Sequence, residues 1–200
     1  MTATAGGPRN PFATRHTRPG RLVPRDAAGV PLDLEAVAAR ALTLGVAAIE
    51  GPHGSGKTNL LAALAKHLGA DGRPVEAIRV RSARDGLRAL GCIRRSGPGA
   101  TVCVDGWEAL GRTWAALVRW SASRRGVGLI VTCHRALGLP TLVRCTTSPA
   151  LLARLVADLP AHEGLIGGSD IAAAFAARRG DVREALYDLY DRFERRARRG

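Results

Sequence analysis

The chain has 200 residues, of which 46% are hydrophobic and 24% are charged, a balance that is typical of one globular core with a small appendage and excludes a disordered or fibrous protein. No apolar run approaches the roughly 18 to 20 residues of a membrane-spanning helix, and residues 1–10 lack the basic head and apolar stretch of a secretory signal, so we expect a cytoplasmic protein. Basic residues outnumber acidic ones by 30 to 17, a net charge of +13; this indicates a nucleotide or nucleic acid as partner, unless a GC-rich genome alone has enriched arginine.

Residues 1–31 are rich in proline, glycine, arginine and threonine and show no sustained hydrophobic periodicity. They are predicted to form an extended N-terminal arm rather than a packed element. Residues 32–44 then carry apolar side chains at helical spacing, which predicts a short amphipathic helix leading into the core.

Beyond this helix, short apolar runs alternate with helical patterns up to residue 147. Such alternation is typical of parallel strands joined by helical crossovers, so we predict an α/β three-layer sandwich with a five-stranded, mostly parallel sheet over residues 32–147. The predicted strands are residues 45–49, 75–80, 100–104, 127–133 and 141–145, and the helices between them are residues 58–68, 83–90 and 107–123.

A glycine-rich motif follows the first predicted strand. Residues 51–58, Gly51-Pro52-His53-Gly54-Ser55-Gly56-Lys57-Thr58, fit the pattern G-x-x-x-x-G-K-[ST] directly before a helix that continues with Asn59. The glycines let consecutive backbone N–H groups converge on phosphate oxygens, and the helix presents its positive end to the same charge. Lys57 is expected to neutralise the β- and γ-phosphates, and Thr58 to offer its hydroxyl to Mg²⁺. The alternative is a glycine-rich turn with a solvated lysine, but Lys57 is one of only two lysines in the chain.

The third predicted strand is apolar up to its last residue and ends in Asp105. A buried parallel strand delivers such a carboxylate to the carboxyl edge of the sheet, so Asp105 is expected to hold Mg²⁺ together with Thr58; an N-cap of the next helix is the alternative. Glu108 lies one helical turn further and is expected to orient a water near the γ-phosphate, unless it is only a first-turn glutamate favoured by the helix dipole.

The fourth predicted strand ends in Thr132-Cys133-His134 at the same sheet edge. A hydrogen-bonding side chain at this place can respond to the γ-phosphate, and both Thr132 and His134 are candidates. For His134, a loop histidine bound to the backbone is the alternative.

Four cysteines lie 11, 30 and 12 positions apart with no C-x-x-C pair. This spacing suits neither a zinc site nor a disulfide framework, so we expect reduced and buried thiols. They are Cys92, Cys103, Cys133 and Cys145.

The strand signal ends after residue 147, and helical patterns follow at residues 149–159, 170–178 and 182–196. They predict a small α-helical lid over residues 148–200, which ends in a basic tail.

With these motifs the chain resembles the P-loop ATPases of the additional-strand type and, among them, the AAA+ and related STAND-like proteins. The resemblance covers about residues 45–193. It identifies residues 51–58 with the Walker A motif, residues 101–105 with Walker B and residues 129–134 with the sensor-1 strand. It implies ATP and Mg²⁺ as cofactors.

The resemblance also implies roles for two arginines and for the N-terminal arm. Arg144 lies where many members carry an arginine finger, which acts within the chain or on a neighbouring subunit. Arg183 lies at the start of the sensor-2 helix and would approach the γ-phosphate; a solvated surface arginine is the alternative at both positions. Residues 10–12, with the aromatic Phe12, and residues 18–20 occupy the place from which such folds line the adenine site.

The sequence thus favours a Mg²⁺-dependent ATPase or nucleotide switch that acts on a protein partner, with oligomerisation open. Because Gly106, not glutamate, follows Asp105, the resemblance implies low intrinsic turnover. The alternatives are a small-molecule or nucleotide kinase, for which no acceptor-binding carboxylate is identified, and a nucleotide-gated module that binds nucleic acid through its arginine-rich ends.

Overall fold

A computed structural model describes residues 10–135, 138–160 and 164–199 of the chain. The strands are β1 (Val46–Glu50), β2 (Val75–Arg79), β3 (Thr101–Asp105), β4 (Gly128–Cys133) and β5 (Thr141–Arg144). The helices are α1 (Thr14–Thr17), α2 (Leu34–Leu44), α3 (Lys57–Ala70), α4 (Gly86–Arg95), α5 (Gly111–Arg125), α6 (Pro149–Ala157), α7 (Gly168–Ala177) and α8 (Val182–Ala197). Short 3₁₀ turns at Ala83–Asp85 and Trp107–Leu110 precede α4 and α5.

The five strands form one sheet in the order β2-β3-β4-β1-β5, and all four strand pairs are parallel. This confirms the predicted α/β class, and every predicted strand lies within one residue of an observed one. Because the strands are parallel, their carboxyl ends meet at one edge of the sheet. The order places β4 between β1, which leads into the glycine-rich loop, and β3, which ends in Asp105.

Helices cover both faces of the sheet, since the strands are apolar on both sides. On one face α4 and α5 pack on β3 and β4 around Val102, Leu129 and Val131. On the other face α2 and α3 pack on β1 around Ile49, Leu60 and Leu64. The result is the three-layer arrangement expected from the alternating pattern.

The helices α6, α7 and α8 build a separate cluster around Leu152, Leu189 and Phe193. Two of them begin at side-chain caps: Ser148 accepts a hydrogen bond from the N–H of Leu151 before α6, and Asp181 accepts one from the N–H of Glu184 before α8. None of the helices among the described residues is long and apolar enough to cross a bilayer.

The N-terminal segment differs from the expected extended arm. Its first nine residues lie outside the described part of the chain, but Phe12 is only 1% exposed and its ring meets that of Phe193 edge to face at 6.4 Å between centroids. Phe12 therefore packs in the helical cluster, and the expectation of an arm without a packed element is wrong for this part of the segment. The sequence carried no sign of this because the partner of Phe12 lies at the other end of the chain.

The cysteines are free, and Cys92, Cys103 and Cys133 are buried. Burial raises the pKa of Cys103 to about 12, so this thiol stays protonated and packs as a small apolar side chain.

Candidate functional site

The glycine-rich loop curls between the end of β1 and the start of α3. Gly51 has a φ of 154°, and a Cβ at this position would come within 2.4 Å of the carbonyl oxygen of Cys145. Only glycine lets the loop pass this close to the segment that follows β5. Ser55, which is 7% exposed, donates from Oγ to the carbonyl oxygen of Pro52 at 2.9 Å and closes the turn.

The backbone N–H groups of residues 54–58 have no acceptor among the described residues. Lys57 lies at the same place and donates from Nζ to the carbonyl oxygens of Gly51 and Pro52, at 2.7 and 2.6 Å. Burial lowers the pKa of Lys57 from its ordinary value, against the effect of nearby negative groups that include Glu108 and Asp105. Five unpaired donors and one ammonium group at the start of a helix form a cradle with the chemistry to bind a polyanion.

Asp105 lies beside this cradle and is held by three side chains. Its Oδ1 accepts hydrogen bonds from Thr58 Oγ1 at 2.9 Å and from Thr132 Oγ1 at 2.7 Å, and its Oδ2 pairs with Arg79 Nε at 3.0 Å. The Thr132 hydroxyl also accepts the backbone N–H of Gly106 at 2.9 Å, which fixes the backbone directly after the carboxylate. A hydroxyl and a carboxylate oxygen in contact supply the hard oxygen ligands that Mg²⁺ prefers.

Glu108 and His134 form a second polar pair at the same sheet edge. Glu108 Oε1 lies 3.0 Å from His134 Nε2, while His134 Nδ1 lies 3.3 Å from the carbonyl oxygen of Gly51. The ring of His53 packs on that of His134 at 3.9 Å between centroids. The structure therefore brings Glu108, His134 and the glycine-rich loop together at one edge of the sheet.

A cavity of about 240 Å³ opens next to the cradle, between the N-terminal segment, the loop and the helices α6 and α8. Several apolar side chains line this cavity, among them Leu22, Pro24, Leu155 and Leu186. Arg183 and Tyr187, one turn apart on α8, line it together with Lys57 and Thr58.

Asn59 attaches the N-terminal segment to the helix that follows the loop. Its Oδ1 accepts the N–H of Gly20 at 2.8 Å, and its Nδ2 donates to the carbonyl oxygen of Leu22 at 2.9 Å. The predicted site residue Asn59 thus forms one wall of the cavity by positioning residues 18–25 rather than through a free side chain.

Two residues singled out by the sequence lie away from the cavity. Phe12 is buried in the helical cluster, so the expectation that it faces a base is wrong, although Arg18 and Pro19 do line the cavity. The Arg144 side chain is 71% exposed, lies 3.7 Å from Glu50 Oε2 and is not among the lining residues. The structure therefore does not place the Arg144 side chain at the cradle of residues 54–58.

Sequence reasoning missed two residues at the site. Arg79 is paired in register with Asp105 in the sheet, so the order of the strands is what makes it a neighbour of the carboxylate. Asp181 caps α8 and lies against Gly54 of the loop, where a Cβ on Gly54 would come within 1.8 Å of Asp181 Oδ1. The D-x-x-E spacing of Asp181 and Glu184 signals a cap, but not the contact with the loop.

Comparison with known proteins identifies no family: no family model matches the chain, and no curated protein matches it. Among solved structures, the chain is similar to C. elegans PCH-2, with 13% identity and a TM-score of 0.45 over 80% of this chain. The aligned part spans 66% of that protein.

Proposed function

We propose that this chain binds ATP with Mg²⁺ at residues 51–59 and acts as an ATPase or nucleotide switch with slow turnover. The observation that carries the proposal is the cradle of unpaired N–H groups at residues 54–58, with Lys57 inside it and the Thr58–Asp105 pair at its side. An anion at this place would gain hydrogen bonds that the described protein atoms do not supply.

The residues fit a magnesium ion because Thr58 and Asp105 already place two oxygen atoms 2.9 Å apart beside the cradle. When bound there, Mg²⁺ would coordinate phosphate oxygens and offset their negative charge. Thr132 and Arg79 would keep the Asp105 carboxylate in position, since each holds one of its oxygens.

The Glu108–His134 pair supports a hydrolytic step at this site. Since no glutamate follows Asp105 directly, Glu108 is the carboxylate that remains for orienting a water, and His134 fixes its direction at 3.0 Å.

The residues that line the cavity give the helical lid a role in nucleotide binding. Arg183 projects from α8 into the same space as Lys57, so it would meet the phosphates from the lid side. Nucleotide binding would then draw the lid and the loop together, and this movement is what a protein partner would recognise.

The two lysines provide a matched test of nucleotide binding. Lys57→Ala and Lys66→Ala each remove one positive charge from α3, but Lys66 is exposed and lies more than two helical turns beyond Lys57. We expect Lys57→Ala to abolish the binding of labelled ATP, measured by fluorescence anisotropy with Mg²⁺, while Lys66→Ala binds as the wild type does. Equal binding by both variants would overturn the proposal.

The rate of phosphate release distinguishes an ATPase from a switch that only binds nucleotide. We expect Glu108→Gln and Arg183→Ala to retain ATP binding and to release phosphate at least about tenfold more slowly than the wild type, as is typical for the loss of a water-orienting or charge-stabilising group. If all three proteins show the same rate, the hydrolytic part of the proposal fails and binding alone remains.

A further inference from the structure

The helices α4 and α5 carry an unusual concentration of positive charge. Neither helix contains an aspartate or glutamate, and together they hold seven arginines: Arg88, Arg94, Arg95, Arg112, Arg119, Arg124 and Arg125. All seven are exposed. We call the solvent-facing side of these two helices the α4–α5 face.

The two helices form one surface because they pack side by side along their length. Near their starts, the Trp114 ring of α5 lies against Gly86 of α4, where a Cβ would come within 2.2 Å of the ring. At their ends, the guanidinium of Arg125 donates to the carbonyl oxygen of Arg94 at 2.9 Å. Their arginines therefore belong to one continuous face.

Little of the charge on this face is compensated by carboxylates of the described residues. Among the described residues, the only ion pair of these seven arginines joins Arg88 to Asp85 at 4.0 Å. The basic C-terminal end is different, since Arg192 and Arg196 bind Asp170, and Arg198 pairs with Glu194. The sequence indicates the arginine-rich ends as a binding region, but in the described part of the chain six of the seven arginines of α4 and α5 also form no ion pair.

An exposed tryptophan accompanies this charge. Trp120 on α5 is 60% exposed, whereas Trp107 is buried at 2%. The guanidinium carbon of Arg124, one turn further on the same helix, lies 5.7 Å from the Trp120 ring centroid. Such a cation–π contact orients the ring while most of its surface stays in solvent, where it is available for stacking.

We propose that the α4–α5 face binds single-stranded nucleic acid. Arginines bind the phosphate backbone, and an aromatic ring in solvent stacks on unpaired bases, which a duplex keeps inside its own stack. This surface is distinct from the nucleotide site, because no residue of α4 or α5 lines the cavity beside the phosphate loop. The inference therefore does not depend on the proposed nucleotide binding.

The mixture of residues on the face favours nucleic acid over an anionic membrane. Helices that lie in a bilayer surface separate an apolar face from a basic one. Here the exposed Leu87 adjoins Arg88, and Trp120 lies between Arg119 and Arg124 on one solvent-facing side. Immersing these apolar side chains would carry the neighbouring guanidinium groups into the apolar layer.

The test measures the binding of the full chain to a labelled oligo(dT) of about 20 nucleotides by fluorescence anisotropy, at about 50 to 200 mM KCl. Over this range of salt concentration, a protein that binds through phosphate contacts loses much of its affinity. A triple variant, Arg95→Gln, Arg119→Gln and Arg124→Gln, is compared with Arg195→Gln, Arg198→Gln and Arg199→Gln at the C-terminal end, which lowers the net charge equally. We expect only the first to bind more weakly and to reduce the salt slope by about 2, since each phosphate contact on a single strand contributes about 0.7.

Variants at Trp120 test whether this side chain stacks on the bases of the oligonucleotide. We expect Trp120→Ala to weaken oligo(dT) binding at least about fivefold, Trp120→Phe to restore most of it, and duplex binding to be insensitive to both. Equal losses in the two triple variants, or no effect of Trp120→Ala, would overturn the proposal. So would binding to phosphatidylserine vesicles or to polyglutamate with no binding to oligo(dT), because the face would then serve a membrane or an acidic protein.

Discussion

The contact between the glycine-rich loop and the start of α8 can be tested with two glycines of that loop. Gly54 and Gly56 both have left-handed backbones, with φ of 66° and 87°. A Cβ on Gly54 would overlap the carboxylate of Asp181, at 1.8 Å from Oδ1, whereas a Cβ on Gly56 would meet no atom within 4 Å. Gly56→Ala is thus a matched control for the contact of Gly54 with Asp181 at the start of α8.

The expected costs follow from this geometry. Placing alanine in a left-handed conformation costs about 1 to 2 kcal/mol of unfolding free energy at either position. Gly54→Ala must in addition push Asp181 away from the N–H of Glu184, which it accepts at 3.0 Å; the loss of such an N-cap costs about 1 kcal/mol more. We therefore expect Gly54→Ala to be the more destabilising by about 1 kcal/mol.

Urea unfolding in the absence of nucleotide measures this difference. The excess cost of Gly54→Ala should disappear when it is introduced into an Asp181→Ala background, because the cap is already lost there. This double-mutant cycle separates the free-energy cost of the contact from that of the backbone strain, because the strain is present in both backgrounds. Equal destabilisation by Gly54→Ala and Gly56→Ala would refute the inferred contact between the loop and α8.

Two further predictions concern stability. Hydrogen bonds from Arg196 and from the N–H of Gly167 lower the pKa of Asp170 to about 2; its contribution to stability is therefore complete above its ordinary pKa of about 4 and is lost as the pH falls towards 2. The melting temperature should fall more steeply over this range in the wild type than in Asp170→Asn, and parallel curves would contradict this. Within α4, Gly86→Ala should destabilise the protein by about 1 to 3 kcal/mol, because its Cβ would lie 2.2 Å from the tryptophan ring of α5; Gly91→Ala should stabilise it by about 0.5 to 1 kcal/mol, because its Cβ would meet only the flexible end of an arginine at 3.4 Å. Urea unfolding of the two variants checks both signs.

Local sequence signals predicted most of the sheet and the candidate site. The apolar strands alternate with helices over distances of about a dozen residues, so the pattern of each element is complete within a short window. The glycine-rich loop is also a local feature, because its glycines, Lys57 and Thr58 lie in the few residues that join one strand to the next helix. For the same reason Asp105, Thr132 and His134 were expected at one sheet edge, since each ends a parallel strand.

The expectations that need correction have different causes. The helical pattern predicts one helix over residues 107–123, but Gly111, with a φ of 71°, interrupts it, so that a 3₁₀ turn precedes α5. The sequence also predicts an extended arm around Phe12, whereas the structure packs this ring against Phe193 on the last helix, a contact between the two ends of the chain.

The amino-acid sequence by itself determined the class of fold and the position of the glycine-rich loop, because both depend on residues that lie close together along the chain. Only the tertiary structure decided which side chains surround that loop: Arg79 beside Asp105, and Asp181 against Gly54. It also decided that Arg192, Arg196 and Arg198 pair with carboxylates near the C-terminal end, whereas among the described residues of α4 and α5 only Arg88 does so. The physical reason is that net charge and composition add along the chain, whereas pairing and burial depend on which elements meet in space.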